Sequence, residues 1–533
     1  MKRSGILVVL AVVMAAAVAC SSANQGQSAS SAPPPPRRGG EVVVGTYGEV
    51  DGFNPLKNQW SGPAYQIARS VLDPLVVMDR DNHWQPYLAK SITPNADFTV
   101  WTFELRPGIT FHNGEALDAA ALALFLDAAT TSPLSAQGFP EKPIVATTGP
   151  LTVSMTFTQP WSAMPAALAA QPGYVIAPEQ IRSGDTTHPI GTGPFVFADW
   201  VPDSHFRATR NDHYWRTDAG GEQLPYLDAI EFRPIPDKTS RLNGLQTGDL
   251  DIASYETADD ASLQQLASSG LMVNQDVDIV GVSMLLMNLD RPPLGDIRVR
   301  QAIVSAIDRE ALRNAVAGTS FEIADQPYGE ASKWHTAVDY PTYDPDRARA
   351  LVAEVEAETG PISISVLSGA SGGPAMQYLQ QELGAVGIEL HVQEVELARF
   401  VQQFVGGDYD TVYLGGFFGA ADPDGSYPFI TSKGAAPETF IKLNFARYRN
   451  PVVDKALQDQ RRTDDETARR AAWATIWNAF ATDLPYAFLY HDNVAWVTQS
   501  KVHGLENPTT PEGIALPTIN TWTPFYTNVY VAP

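Results

Sequence analysis

Residues 361–392 read PISISVLSGASGGPAMQYLQQELGAVGIELHV. Ile362, Ile364 and Val366 alternate with Ser363 and Ser365, the period of a half-buried strand. Met376, Leu379, Leu383 and Val386 then recur at helical spacing behind Pro374. Gly387 ends that helix, and a second alternation begins at Ile388, Leu390 and Val392. Strand, helix and strand predict a βαβ unit, hence a mostly parallel sheet with ligand-facing loops at its strand ends. A further helix from Leu397 to Val405 and a strand from Tyr409 to Leu414 continue the pattern.

The turn inside this unit has two readings. Gly369, Ala370, Ser371, Gly372 and Gly373 have the G-x-S-x-G spacing of a nucleophile elbow, and aspartates and then His491 follow in the order of an α/β hydrolase. A secreted serine hydrolase using Ser371 is one reading. The other is structural: the glycines permit a tight turn and Pro374 pre-sets the first helical turn. Several aspartates and three histidines lie downstream, so the order is cheap, and a 370-residue lead-in is unusual for that fold. Free amides at a helix start favour anionic groups, so a ligand carboxylate is expected to dock near Ser368 to Gly373.

Outward from this unit, Glu41 to Thr46 reads as a first strand, followed by the loop GEVDGFNP. A strand, turn and helix follow in DFTVWTFELRPGITFHNGEALDAAALALFLDAATT, and GPLTVSMTFTQP adds a strand. Residues 188–215 return to short strands joined by Gly, Pro, Asp and Asn turns. From Asp296 the texture becomes helical: DIRVRQAIVSAIDREALRNAVAG has Asp296 as its cap, an apolar face at Val299, Ile303, Ala306 and Ile307, and Gly318 as its stop. No short-period repeat is visible.

The start MKRSGILVVLAVVMAAAVAC joins basic residues, an apolar run and small residues ahead of a cysteine, an export signal to be removed before folding is considered. Its apolar run is shorter than the roughly 20 residues of a bilayer-crossing helix, and no later run is long enough. Cys20 is the only cysteine, so no intramolecular disulfide can form. Cleavage ahead of Cys20 with lipid attached there resembles bacterial lipoprotein processing, although Ala17 departs from the usual leucine; an ordinary secretory signal containing a cysteine is the alternative. Residues 21–40, SSANQGQSASSAPPPPRRGG, are too poor in apolar side chains to fold and read as a tether with a reach of roughly 25 Å.

The formal net charge of −24 becomes −26 once Lys2 and Arg3 leave with the signal, which argues against a nucleic-acid partner. The nine histidines are scattered, with no HExxH or paired Cys/His spacing. His205 and His213, beside Trp200 and Trp215, read as surface and core. No metal or other cofactor is expected. No Walker loop is present, so any energy coupling must reside in partner proteins.

Six segments together resemble the family 5 extracytoplasmic solute-binding proteins, the dipeptide and oligopeptide receptors of ABC importers. They are SVLDPLVVMDRDNHWQPYLAKSI, WTFELRPGITFHNGEAL, PIGTGPFVFADW, DIRVRQAIVSAIDREAL, YDTVYLGGFFGAADPDG and LPYAFLYHDNVAWV, in the family's order and spacing across nearly the whole mature chain. The resemblance implies an α/β, periplasmic-binding-protein-like fold: two lobes joined by a two-stranded hinge, with an extra mixed domain inserted in the first lobe. Applied here, lobe I spans 41–62, 180–287 and 492–533, the inserted domain 63–179, and lobe II 288–491. It also implies a non-enzymatic receptor that delivers a small extended solute, a peptide first, to an ABC permease and its ATPase subunits. The receptor would be an extracytoplasmic monomer held to the membrane by lipid on Cys20.

Peptide-binding relatives hold the ligand's α-ammonium with an aspartate three residues before the acidic residue of an acid-Pro pair. Counting back from Asp422 and Pro423 gives Gly419. Either Asp422 or Asp424 substitutes through a shifted loop, or the ligand has no free amino end, as an oligosaccharide would. Phe417 and Phe418 are candidates for an aromatic wall, with core packing expected for whichever points away from the cleft. Tyr47, Glu49 and Asp51 are expected to meet the ligand from lobe I. Tyr490 completes the candidate set with Ser368 and Gly372.

Overall fold

Val42 and Val44 are fully buried in Glu41–Thr46, and this alternation seats the strand in a large sheet. It pairs in parallel with Ala229–Pro234 and Ile252–Glu256. Antiparallel neighbours extend the sheet to seven strands, ordered Met272–Gln275, Val494–Thr498, Ile252–Glu256, Glu41–Thr46, Ala229–Pro234, His205–Arg210 and Phe195–Val201. The computed structural model describes residues 34–533 apart from 133, 257–259, 276–280, 320, 370–371, 419, 437–441, 493, 507, 518–523 and 533. The export signal and Cys20 therefore lie outside the described residues. Pro36–Pro533 forms one unit by its internal contacts, and of the other, Met1–Pro35, only the last two prolines are described. No helix among the described residues is long and apolar enough to cross a membrane.

A four-stranded antiparallel sheet, Ala89–Pro94, Val100–Leu105, Thr152–Thr156 and Ile144–Gly149, falls within 63–179. Helix Ala119–Thr131 follows from the capping Asp118, whose carboxylate accepts the Ala121 amide at 2.9 Å, a contact worth about 1 kcal/mol. Trp101, Phe103 and Trp161 of this region share one hydrophobic core with Val42, Val44 and Phe232 of the seven-stranded sheet. The first lobe is held together by that continuity.

The second lobe has its own core, built on a five-stranded sheet ordered Glu389–Glu394, Ser363–Ser368, Thr411–Phe417, Val282–Met287 and Tyr486–His491. Ser363–Ser368 and Glu389–Glu394 run parallel with helix Gly373–Ala385 between them, the βαβ unit expected from the alternation. The expected long helix after Asp296 is instead two, Ile297–Ala306 and Arg309–Val316. Ile307 is extended and Asp308 accepts the Ala311 amide at 2.9 Å, so a second cap starts a second helix.

The chain passes between the two large sheets twice. It leaves the first after Met272–Gln275 and enters the second at Val282–Met287; it returns between Tyr486–His491 and Val494–Thr498. The first crossing therefore precedes the expected 287/288 boundary, because all six residues of Val282–Met287 are buried within the second sheet. The N-terminal edge also shifts. Arg37 Nε donates to the Val531 carbonyl at 3.1 Å and the Gly39 amide to the Tyr226 carbonyl at 2.8 Å, so the last residues of the expected tether lie on the body.

Candidate functional site

At the second crossing, the Asp492 amide donates to the Gly281 carbonyl at 2.8 Å, tying the two crossings together. A Cβ on Gly281 would lie 2.4 Å from Gly416 Cα, so this approach of strands excludes any side chain there. The Asp492 carboxylate accepts Ser283 Oγ at 2.5 Å and the Gly416 amide. Burial pushes its pKa up to about 6, against the pull of those two donors.

Hydroxyls gather beside it because Ser283, Tyr413 and Tyr490 stand on neighbouring strands of the second sheet. The Tyr413 and Tyr490 hydroxyls are 2.9 Å apart, and both interact with Ser283. Ser283 has one hydroxyl proton and gives it to Asp492. Burial raises the pKa of both tyrosines, keeping them neutral.

Ser368 ends its strand on the same side. A Cβ on Gly372 would lie 2.2 Å from Ser368 Oγ and 3.5 Å from the Tyr413 ring. The structure thus brings together Ser368, Gly372 and Tyr490 of the expected set, around Tyr413. Ser371 and Gly419 lie outside the described residues, and Phe417 is described in its backbone alone. Asp492 and Ser283 were missed by residue-by-residue reading. The available signal was the polar triplet His491, Asp492 and Asn493 interrupting two apolar strands.

Other expected residues have different surroundings. Phe418 packs edge-on against Tyr486 at 5.5 Å, Trp477 at 6.4 Å and Phe429 at 6.5 Å, which puts it in the second core rather than on an aromatic wall. Asp422 is gripped by Arg469 through two contacts of 2.7 Å. Asp424 is gripped by Arg461 at 2.6 and 2.9 Å and also accepts Trp161 Nε1 at 2.7 Å. Both carboxylates already have their cation, which removes the physical basis for substituting at Gly419. In the first lobe, Glu49 accepts the amides of Val50 and Asp203, the Tyr47 hydroxyl lies against Gly62, and the Asp51 carbonyl accepts Asn58 Nδ2 at 2.9 Å. These bonds fix the loop's backbone and leave the Asp51 side chain exposed.

For metal binding, the described residues bring together Asp79, Asp81 and His83. Asp79 there already accepts the amides of Asp81 and His83 and the Gln85 side chain, the bonding of a turn.

The family model for bacterial extracellular solute-binding proteins, family 5 middle, matches residues 83–438. The glutathione-binding protein GsiB of Pectobacterium atrosepticum is 26% identical over 458 residues, covering 82% of this chain and 86% of that protein. A probable di/tripeptide-binding protein 5 of Pseudomonas aeruginosa is 30% identical over 365 residues, 67% of this chain and 65% of that one. The solved structure of the ABC transporter-associated periplasmic binding protein DppA from Helicobacter pylori, in complex with peptide STSA, superposes with a TM-score of 0.80 at 20% identity, covering 93% of this chain and 99% of that one.

Proposed function

The chain belongs to the bacterial extracellular solute-binding proteins of family 5, and from that membership we propose that it captures a short peptide between its lobes and passes it to an ABC permease. Members of this family are extracytoplasmic binding proteins of importers, not enzymes. The observation that carries the peptide reading is the polar edge of the second sheet at the lobe crossing, where hydroxyls, a glycine-rich helix start and one carboxylate offer partners to both ends of a zwitterion. Ser368, Gly372 and Tyr490 are proposed contacts from lobe II, and Tyr47, Glu49 and Asp51 from lobe I. Relatives named for glutathione and for di/tripeptides support the same ligand class.

Closure of two lobes on a ligand turns occupancy into a shape that a permease can read, with no bond made or broken. Mild denaturation of the purified protein followed by mass spectrometry of the released small molecules tests this. Short peptides are the expected result; a single glycan would transfer the site to an amine-free solute.

Lipid attachment at Cys20 is part of the proposal, supported by the export signal, the lone cysteine and the polar tether behind it. Cys20→Ala should move the protein from the membrane to the soluble fraction, and retention in the membrane would refute the anchor.

A further inference from the structure

Four acidic residues are buried among the described residues: Asp73, Asp251, Asp424 and Asp492. Asp424 has Arg461 at 2.6 Å and Asp251 has Lys501 at 2.6 Å. Asp73 accepts Trp215 Nε1 and Thr192 Oγ1, within the field of the Arg216 guanidinium. Asp492, 1% exposed, has no basic side chain in contact among the described residues. Its partners are a serine hydroxyl and a backbone amide. A buried carboxylate without a counter-charge costs several kcal/mol, and that cost sits where the two lobes join.

The two hydrogen bonds donated to Asp492 offset part of that cost in its charged form. Ser283 donates to the carboxylate, and the Tyr413 and Tyr490 hydroxyls lie beside it, 2.9 Å from each other. Gly415 stands beside it: a Cβ there would lie 3.3 Å from Ser283 Oγ and 3.7 Å from Asp492 Oδ2. No side chain from that position covers the carboxylate.

We propose that Asp492 receives the cationic end of the captured solute, its ammonium group, and so supplies the counter-charge that the chain itself withholds. This inference rests on the receptor reading above. It also answers why Asp422 and Asp424, nearer in sequence to the expected anchor, hold arginines instead.

The test uses the full chain, purified in detergent and stripped of bound solute. It is equilibrated with a library of di- to tetrapeptides lacking Lys, Arg and His, and separately with the same library after N-acetylation. Retained species are quantified by mass spectrometry. The native protein is expected to prefer the free-amine library by ~100-fold or more, the scale of breaking a buried charge pair. Asp492→Asn keeps an acceptor for Ser283 and should abolish that preference. Gly415→Ala leaves Asp492 in place but covers it, and should lower free-amine retention at least tenfold, providing the readout if Asp492→Asn does not fold.

Equal retention of both libraries by the native protein would overturn the role of Asp492 and leave the receptor reading standing. A preference that survives in folded Asp492→Asn, or in Gly415→Ala where the first variant does not fold, would overturn it as well. Retention of neither library by the native protein would refute the peptide reading and this assignment with it.

Discussion

Asp492 and its neighbour His491 are both buried, and burial acts on them in opposite directions of proton binding. Desolvation raises Asp492 to about 6 and lowers His491 to about 4, with His335 adding to the latter shift. Neither ring nitrogen of His491 has a hydrogen-bond partner among the described residues, which suits a neutral ring. For Asp492 the folded state binds the proton more tightly than the unfolded chain, so its contribution to stability is present below about pH 4 and is lost as pH rises through 6. For His491 the unfolded chain binds the proton more tightly, so stability falls as pH drops from about 6.5 toward 4. The titratable groups facing Asp492, Tyr413 and Tyr490, stay neutral throughout this window. Asp492→Asn fixes one of the two groups in its neutral form. Urea unfolding should find that variant gaining on the native protein by on the order of 3 kcal/mol between pH 4 and pH 7. A difference independent of pH would mean that Asp492 titrates alike in the folded and unfolded chains, so that burial does not raise its pKa.

Elements with strong periodicity were legible. The alternation at Ile362, Ile364 and Val366 and the helix behind Pro374 became the parallel βαβ unit because apolar period directly selects which face is buried. The split at Asp308 was missed because a helical apolar pattern continues across it, whereas a carboxylate bonded to one amide decides where a helix begins. Site residues were less legible for a related reason. Phe417, Phe418, Asp422 and Asp424 sit in one stretch, yet the described side chains of that stretch point into a core or onto arginines from helices far along the chain. Sequence reports which groups are available, while the sheet register determines which of them share a face. Ser283, Tyr413, Tyr490 and Asp492 meet only because three strands from distant segments lie side by side.

At the scale of the molecule, two sets of contacts among the described residues tie the lobes together. One is the pair of crossings at Gly281 and Asp492. The other is a clasp: Trp161, packed in the first core, donates to Asp424 of the second lobe, and the Ser162 amide donates to the Arg461 carbonyl at 2.8 Å. Arg461 lies over the Tyr427 ring at 3.5 Å while holding Asp424, and although burial pushes that carboxyl up, the guanidinium wins and keeps its pKa below the usual carboxylate range. A hinge at one place and a clasp at another make opening and closing a two-state change that a ligand can bias. Removing Arg461 would strand a buried charge and cost about 3–5 kcal/mol, risking the fold itself. Trp161→Phe is the cleaner change, since it leaves both charges paired and keeps an aromatic ring in place while deleting a hydrogen bond to a charged group, worth about 1–3 kcal/mol, with some loss of packing at this buried site. That variant should release bound solute roughly 5- to 100-fold faster, and small-angle scattering at subsaturating ligand should show a larger radius of gyration than the native protein. An unchanged release rate in a folded Trp161→Phe would mean that the clasp persists when the lobes part, leaving the crossings and the ligand as the groups that set closure.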